Sequence, residues 1–312
     1  MGDIVRETGR RYRNWGRWGP DDELGTLNYI TPDVIVKATR LVKRGIVFSL
    51  AIPFDNQGPA INHPWRFNPI HRMILTGPDF TTGAVKGTRG SEVTDDMIIM
   101  PLQCGTQWDA LSRIFLDGKL YNGYDANLVS SEGAKKNGIE KMARGVVTRG
   151  VLLDIPRVKN VEWLEPGYAI SVDDLDAAIR TENVTVGTGD ALLIRTGQVA
   201  RCRARGTWEG HAVGPTPGLS FKTAGWVYAK QIASLATDTW PVEVRPSEIP
   251  DAFDPLHRVF IPNMGLLLGE NFDLEALAAD CAEDKVYEFL FVAPPLPITG
   301  AVGSPVNPLA VK

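Results

Sequence analysis

The sequence is poor in the residues that most often carry metal or redox chemistry, with three cysteines and four histidines among 312 residues. Cys104, Cys202 and Cys281 lie far apart and are odd in number, which argues against a disulfide framework or a cysteine zinc site. We therefore expect free thiols, a reducing compartment and a cytoplasmic protein.

Long apolar runs and a large net charge are also lacking. The first 25 residues are polar, and no window approaches 18 uninterrupted apolar residues, so neither a leader nor a membrane span is predicted. The net charge of −4 gives no electrostatic reason to expect nucleic acid or an anionic membrane as a partner. A small-molecule substrate is the expected partner.

Two common catalytic loops are missing as well. The glycine-containing stretches 187–190 and 300–303 lack the order of strand, glycine-rich turn and helix that a dinucleotide or phosphate loop requires. There is no Gly-x-Ser-x-Gly motif, which argues against a serine hydrolase of the common α/β type.

What the sequence does contain is typical of a mixed α/β protein. Ser171 followed by acids and a helical apolar pattern predicts a helix, and short apolar runs predict buried strands. Because such elements alternate and no linker interrupts them, we predict one domain over residues 1–312, whose first 30 or so residues form an extended arm. Helices are predicted at 32–44, 131–143, 171–179, 223–233, 255–262 and 273–279. Strands are predicted at 46–54, 144–156, 191–194, 235–237, 265–268 and 285–292.

The densest group of unusual polar residues follows the apolar run Met97-Ile98-Ile99. If this segment is extended, alternation places Gln103, Gly105, Gln107 and Asp109 on one side. We expect the ligand-type side chains among them to converge on a functional site, supported by the preceding strand.

This segment resembles a motif of the cyclase family of hydrolases, which includes kynurenine formamidases and isatin hydrolases. The family carries His-x-Gly-Thr-His-x-Asp, with a further histidine four residues later. Here the sequence reads Gln103-Cys104-Gly105-Thr106-Gln107-Trp108-Asp109 and then Arg113, so glycine, threonine and aspartate match and all three histidines are replaced. The stretches 18–28, 119–123, 217–219 and 303–308 are also similar to the longer branch of the family.

The resemblance implies a swivelling β/β/α domain with a barrel-like mixed sheet and helices packed outside. It also implies a homo-dimer or homo-tetramer. The implied activity is hydrolysis of an amide, lactam or lactone bond in a small cyclic or aromatic substrate. His257 and Glu270, 13 positions apart, are similar to a second histidine–glutamate pattern of the family.

Carried over to this chain, the family pattern predicts one divalent metal, Zn²⁺ or Mn²⁺, held by Asp109, His257 and Glu270. The other metal half-site is lost, because the amides of Gln103 and Gln107 are weak ligands for these ions. In the predicted mechanism, metal-activated water attacks a carbonyl, and Gln107 or Arg113 helps the ion to stabilise the oxyanion. The predicted catalytic residues are Asp109, Arg113, His257 and Glu270.

Five residues are predicted to contact the substrate: Gln103, Gln107, Trp108, Trp65 and His63. Two alternatives stay open. The first is a metal-independent enzyme that uses His257 and Glu270 with Gln103, Gln107 and Arg113 for cyclisation, dehydration or carbonyl addition. The second is a non-catalytic protein that binds a carboxylated aromatic ligand.

Overall fold

The computed structural model describes residues 3–312. Its helices are α1 (Asp3–Arg11), α2 (Pro32–Thr39), α3 (Gly77–Thr81), α4 (Ile155–Val158), α5 (Val172–Thr181), α6 (Gln198–Arg205), α7 (Ala224–Lys230), α8 (Pro255–Val259) and α9 (Glu275–Asp284). A π-helical turn, Phe260–Met264, continues α8. No helix of the described residues is long and apolar enough to cross a membrane.

The strands are β1 (Val47–Ser49), β2 (Ile70–Leu75), β3 (Asp95–Ile99), β4 (Gln107–Asp109), β5 (Val129–Ser130), β6 (Gly133–Ala134), β7 (Val147–Asp154), β8 (Ala169–Ile170), β9 (Ala191–Arg195), β10 (Gly218–Leu219), β11 (Ser234–Thr237), β12 (Leu267–Glu270), β13 (Glu288–Val292), β14 (Gly303–Pro305) and β15 (Leu309–Val311).

Nine strands form one mixed, curled sheet in the order β1-β15-β13-β7-β9-β11-β12-β4-β14. The four central strands β7, β9, β11 and β12 run parallel, and the strands on both sides of them pair antiparallel. The central strands are almost entirely buried, because helices cover them, and this explains their continuous apolar runs. The predicted mixed α/β fold with a barrel-like sheet is confirmed.

Local sequence signals explain several elements directly. Ser171 caps α5: its hydroxyl accepts a hydrogen bond from the Asp174 amide, and the Asp174 carboxylate accepts one from the Ser171 amide. The buried face of α5 carries Leu175 and Ala178, at the helical spacing that the sequence shows. Pro255 occupies the first turn of α8, the helix that carries His257.

Two local predictions were wrong. Residues 131–143 contain strand β6, which pairs with β5, and a 3₁₀ turn instead of a helix, because Gly133 and Asn137 adopt positive φ and interrupt it. Met97–Ile99 belongs to β3, which pairs only with β2 in an exposed two-stranded ribbon, so it does not support the polar segment that follows. Residues 3–30, within the predicted N-terminal arm, contain α1 and a 3₁₀ helix, Gly25–Tyr29.

Gly25 lets this N-terminal region approach the body of the protein closely. Its φ is +59°, and a Cβ atom at this position would overlap the carbonyl oxygen of Gly265. That oxygen accepts a hydrogen bond from the Thr26 amide. The approach therefore depends on the absence of a side chain.

Gly25→Ala should lower the free energy of unfolding by about 3 kcal/mol or more, since it combines positive-φ strain with a backbone clash. Gly16→Ala is the matched control, because Gly16 also has positive φ but nothing lies within 4 Å of its Cβ position. It should cost only about 1 kcal/mol. Urea unfolding of both variants measures the difference, and equal losses would contradict the clash.

Candidate functional site

The site is built on β4, which lies between β12 and β14 in the sheet. Gln107 pairs directly with Glu270 in the antiparallel register of β4 and β12, so their side chains project from the same face. Asp109 lies two residues further along β4 and therefore shares that face. The Gln107 amide nitrogen donates to Glu270 Oε2 at 2.7 Å and to Asp109 Oδ1 at 3.2 Å.

His257 reaches the same place from α8. Its Nε2 lies 3.1 Å from Glu270 Oε1 and 4.0 Å from Asp109 Oδ2. Its Nδ1 lies 2.5 Å from Glu243 Oε2, while the other oxygen of Glu243 accepts hydrogen bonds from the amides of Leu256 and His257. Glu243 therefore fixes both the start of α8 and the orientation of the imidazole ring.

Arg113 completes the cluster. Its Nε lies 2.5 Å from Asp109 Oδ2, so a guanidinium contacts the carboxylate that the sequence predicts to bind metal. Arg113 and Asp109 are four residues apart, and the Asp109 side chain is fully buried. The structure thus brings together all four predicted catalytic residues: Asp109, Arg113, His257 and Glu270.

Burial and neighbouring charges shift the proton affinities of this cluster. Burial raises the pKa of Asp109 to about 6, although Arg113 acts in the opposite direction. Burial alone would lower the pKa of His257, but Glu243 and Glu270 outweigh it and raise that pKa well above its ordinary value. In the protein alone, His257 therefore carries a proton between two carboxylates.

Asp109, His257 and Glu270 offer ligand atoms that all lie within 4.8 Å of one another, a spacing suited to one divalent cation. The carboxylate of Glu243 on Nδ1 is the kind of partner that metal-binding histidines usually have. Gln107 Oε1 is buried without a hydrogen-bond partner among residues 3–312, which leaves an acceptor free for a cation or a donor. These residues fit one ion. They do not fit two, because neither glutamine supplies charge or nitrogen ligation.

The predicted substrate residues are placed differently from one another. Trp108 lies outside the cluster, because alternation along β4 turns its ring into the core, where its indole nitrogen donates to the Ala293 carbonyl. Gln107 lies in the cluster.

Gln103 is buried in the turn before β4, and its amide nitrogen has no partner among the described residues. Only 107–109 of the expected extended segment form a strand.

Two further substrate predictions fall on the loop before β2. The ring of His63 stacks on Trp240, with centroids 5.3 Å apart. Burial lowers the pKa of His63 to about 4, with contributions from Arg66, Arg245 and Arg113. Trp65 is 85% exposed and contacts only the edge of the His63 ring among the described aromatic contacts, so it lies outside the cluster.

Sequence reasoning missed Glu243 and the arginines that surround His63. Glu243 lies between two buried valines, Val242 and Val244, and an acid within such an apolar run is a signal that could have identified it. Arg66 and Arg245 carry no comparable signal, because arginine in a loop is most often solvated.

His211 matches no motif and lies outside this cluster. Its Nε2 is 2.7 Å from Asn271 Oδ1 and its Nδ1 is 3.8 Å from Cys202 Sγ, an order that is reminiscent of a cysteine protease. Burial raises the pKa of Cys202 to about 11 and lowers that of His211 to about 4. A neutral thiol beside a buried neutral imidazole is a packing arrangement rather than an activated nucleophile.

This burial predicts an acid-sensitive fold. Since the pKa of His211 falls from 6.5 to about 4 on folding, the unfolded chain binds the proton first as the pH drops. The stability is therefore complete above pH 6.5 and decreases between pH 6.5 and 4. His211→Gln should reduce the slope of unfolding free energy against pH in this window by up to about 1.4 kcal/mol per unit. Urea unfolding at pH 7, 6 and 5 tests this, and an unchanged slope would contradict it.

Comparison with known proteins shows which family has this fold and this segment. A family model described as "Putative cyclase" matches residues 48–244, which include β4 but end before His257 and Glu270. A crystal structure of a novel cyclase is 40% identical, covers 97% of this chain and 99% of its own, and superposes with a TM-score of 0.89. A search of curated protein sequences finds no match.

More distant structures share the fold. Isatin hydrolase A from Ralstonia solanacearum is 17% identical, with 90% of this chain and 96% of that chain covered and a TM-score of 0.64. A predicted metal-dependent hydrolase from Bacillus stearothermophilus is also 17% identical, with 86% and 98% covered and a TM-score of 0.51.

Proposed function

Since this chain belongs to the cyclase family, we propose that it is a hydrolase that opens an amide, lactam or lactone bond in a small cyclic or aromatic substrate. The observation that carries the proposal is the convergence of Asp109, Arg113, His257 and Glu270 at one buried place. Structures of the same fold described as isatin hydrolase and as a metal-dependent hydrolase support this class of reaction.

A divalent ion held by Asp109, His257 and Glu270 would act as a Lewis acid and lower the pKa of bound water. The protein's own groups have separate tasks. Glu270 is the general base that receives a proton from the attacking water, because its carboxylate faces the cluster. Glu243 is the positioning residue that keeps the His257 ring turned toward Glu270.

Arg113 cannot serve as a base, since a guanidinium stays protonated. It offers N–H donors beside Asp109, where negative charge develops on the carbonyl oxygen of the substrate. Gln107 holds the carboxylates of Asp109 and Glu270 in register. Buried donors of this kind are effective because they need no reorganisation during the reaction.

A second candidate is an enzyme of the same fold that works without metal. It is favoured by the contacts of Arg113 and Gln107 with Asp109, which already balance this carboxylate, and by the position of His257 between two acids. Here His257 acts as the acid and Glu270 as the base in cyclisation, dehydration or carbonyl addition.

Turnover of a panel of lactams, lactones and aryl formamides tests the hydrolase proposal. Hydrolysis of a lactone or of an aryl formamide releases a proton near neutral pH, so a pH-stat follows these reactions without knowledge of the natural substrate. Opening of an aliphatic lactam gives an ammonium carboxylate with no net proton, so this reaction is followed by mass spectrometry, as a gain of one water. Ring opening of at least one panel member supports the proposal. Conversion with no net addition of water would instead support the second candidate, and mass spectrometry of the product distinguishes the two.

A further inference from the structure

Arg66 is a half-buried cation without an acidic partner. Among residues 3–312 no carboxylate oxygen lies within 4 Å of its guanidinium, and its hydrogen bond is to the carbonyl oxygen of Gln103, at 3.0 Å. Two other arginines also lower the pKa of His63, and both form ion pairs: Arg113 with Asp109 and Arg245 with Asp254. Most of the five N–H donors of Arg66 are thus available to a bound anion.

Two flat rings lie on one side of Arg66. Its guanidinium carbon lies 5.4 Å from the centre of the Trp240 ring, on which His63 also stacks. Burial keeps His63 neutral at ordinary pH, since its pKa falls to about 4. A planar ligand against His63 would therefore meet the positive charge of Arg66, and not that of the imidazole.

Arg66 also connects the catalytic cluster to an open groove. A cavity of about 780 Å³ is lined by residues that include Phe54, Ile61, Arg66 and Arg72. On its other side, Arg66 is close enough to Asp109 and Glu270 for both carboxylates to affect its pKa. Arg66 lines this cavity and Asp109 and Glu270 do not, so Arg66 lies on the groove side of the cluster.

The electrostatics limit which ligand can bind in this way. The charge of Arg113 is already opposed by Asp109, whereas that of Arg66 is not opposed by a paired acid among residues 3–312. A substrate carboxylate is therefore best balanced on the Arg66 side, with the reacting carbonyl directed toward β4. A guanidinium matches the two oxygens of a carboxylate in one plane.

We infer that the substrate is a flat cyclic or aromatic amide or ester that bears a carboxylate group, and that Arg66 binds this group. The identity of the reaction in this inference rests on the proposed hydrolase function. The binding of a carboxylate by Arg66 does not depend on it. Arg66 is thereby a residue that determines substrate specificity.

Binding of benzoate and of its uncharged analogue benzamide tests the inference without turnover. Ligand-observed NMR titration of the wild type should show benzoate binding at least about 10-fold more tightly than benzamide. Arg66→Gln should abolish that preference, and Arg66→Lys should retain part of it. Arg72→Gln is the matched control, because Arg72 lines the same cavity and is exposed, and it should leave the preference unchanged.

Equal affinity for benzoate and benzamide in the wild type would overturn the inference, as would a preference that survives Arg66→Gln. Thermal unfolding of each variant shows whether the fold is kept, and Arg66→Lys provides the test if the glutamine variant does not fold. Benzoate preference without any hydrolysis of the panel would leave this inference standing and remove only the hydrolase function. Hydrolysis of a carboxylated panel member with a KM that Arg66→Gln does not change would remove this inference and leave the hydrolase function standing.

Discussion

Glu270→Ala should lower kcat/KM by about 100- to 10,000-fold on any substrate that the wild type hydrolyses, the range expected for loss of a general base. The carboxylate is 3.1 Å from His257 Nε2 and accepts from Gln107 at 2.7 Å, so its removal also releases two donors that it holds in place. Steady-state kinetics on the best member of the substrate panel measures the loss.

Two further variants separate chemistry from folding. Glu270→Gln keeps the size of the side chain, so an equal loss of activity would assign the effect to the carboxylate. Glu288, on β13 and outside the cluster, pairs with Arg149 of β7, and Glu288→Gln should retain nearly full activity. Full activity of Glu270→Ala would show that Glu270 is not the base and would remove the proposed mechanism.

The second large effect is expected in metal content. Purified wild-type protein should contain about one zinc or manganese per chain, and Asp109→Ala should contain none, because the variant loses one of three ligands and leaves Arg113 without its counter-charge. Elemental mass spectrometry of both preparations, purified in parallel, gives the stoichiometry directly.

Asp254→Asn is the control that locates the ion. Glu243, Asp254 and His257 form a second group with metal-binding spacing on the Nδ1 side of the same histidine. If the ion lies at Asp109, His257 and Glu270, the Asp254 variant keeps it. If Asp254→Asn loses the ion and Asp109→Ala keeps it, the assignment is wrong. Wild-type protein without stoichiometric metal would favour the metal-independent enzyme, and substrates for carbonyl addition would then be the ones to test.

Arg113 distinguishes this chain from the histidine pattern that the sequence resembles. Its contact with Asp109 gives the substitution a physical role, since arginine, unlike histidine, keeps its positive charge at ordinary pH and so stabilises a buried carboxylate permanently. The motif alone identified Arg113 as a group that cannot act as a base. Its partner became known only from the structure.

The sequence by itself determined the central strands and several helices. The runs at β7, β9 and β11 are apolar because these strands are buried on both faces, and Ser171 carries its own capping signal. It also identified Asp109, His257 and Glu270 as candidates, through their similarity to a family motif. These features could be predicted because each depends on neighbours in sequence or on a recognisable pattern.

Tertiary structure alone decided which side chains meet. The antiparallel register of β4 with β12 places Gln107 opposite Glu270, 163 residues away, and turns Trp108 into the core. Long-range packing places Glu243 and Arg66 near the cluster, and the local sequence around them shows no periodic pattern that predicts this. Helix propensity and strand alternation act over a few residues, whereas register, pairing and the burial of a charge depend on contacts between distant segments, and this is why only the folded chain reveals them.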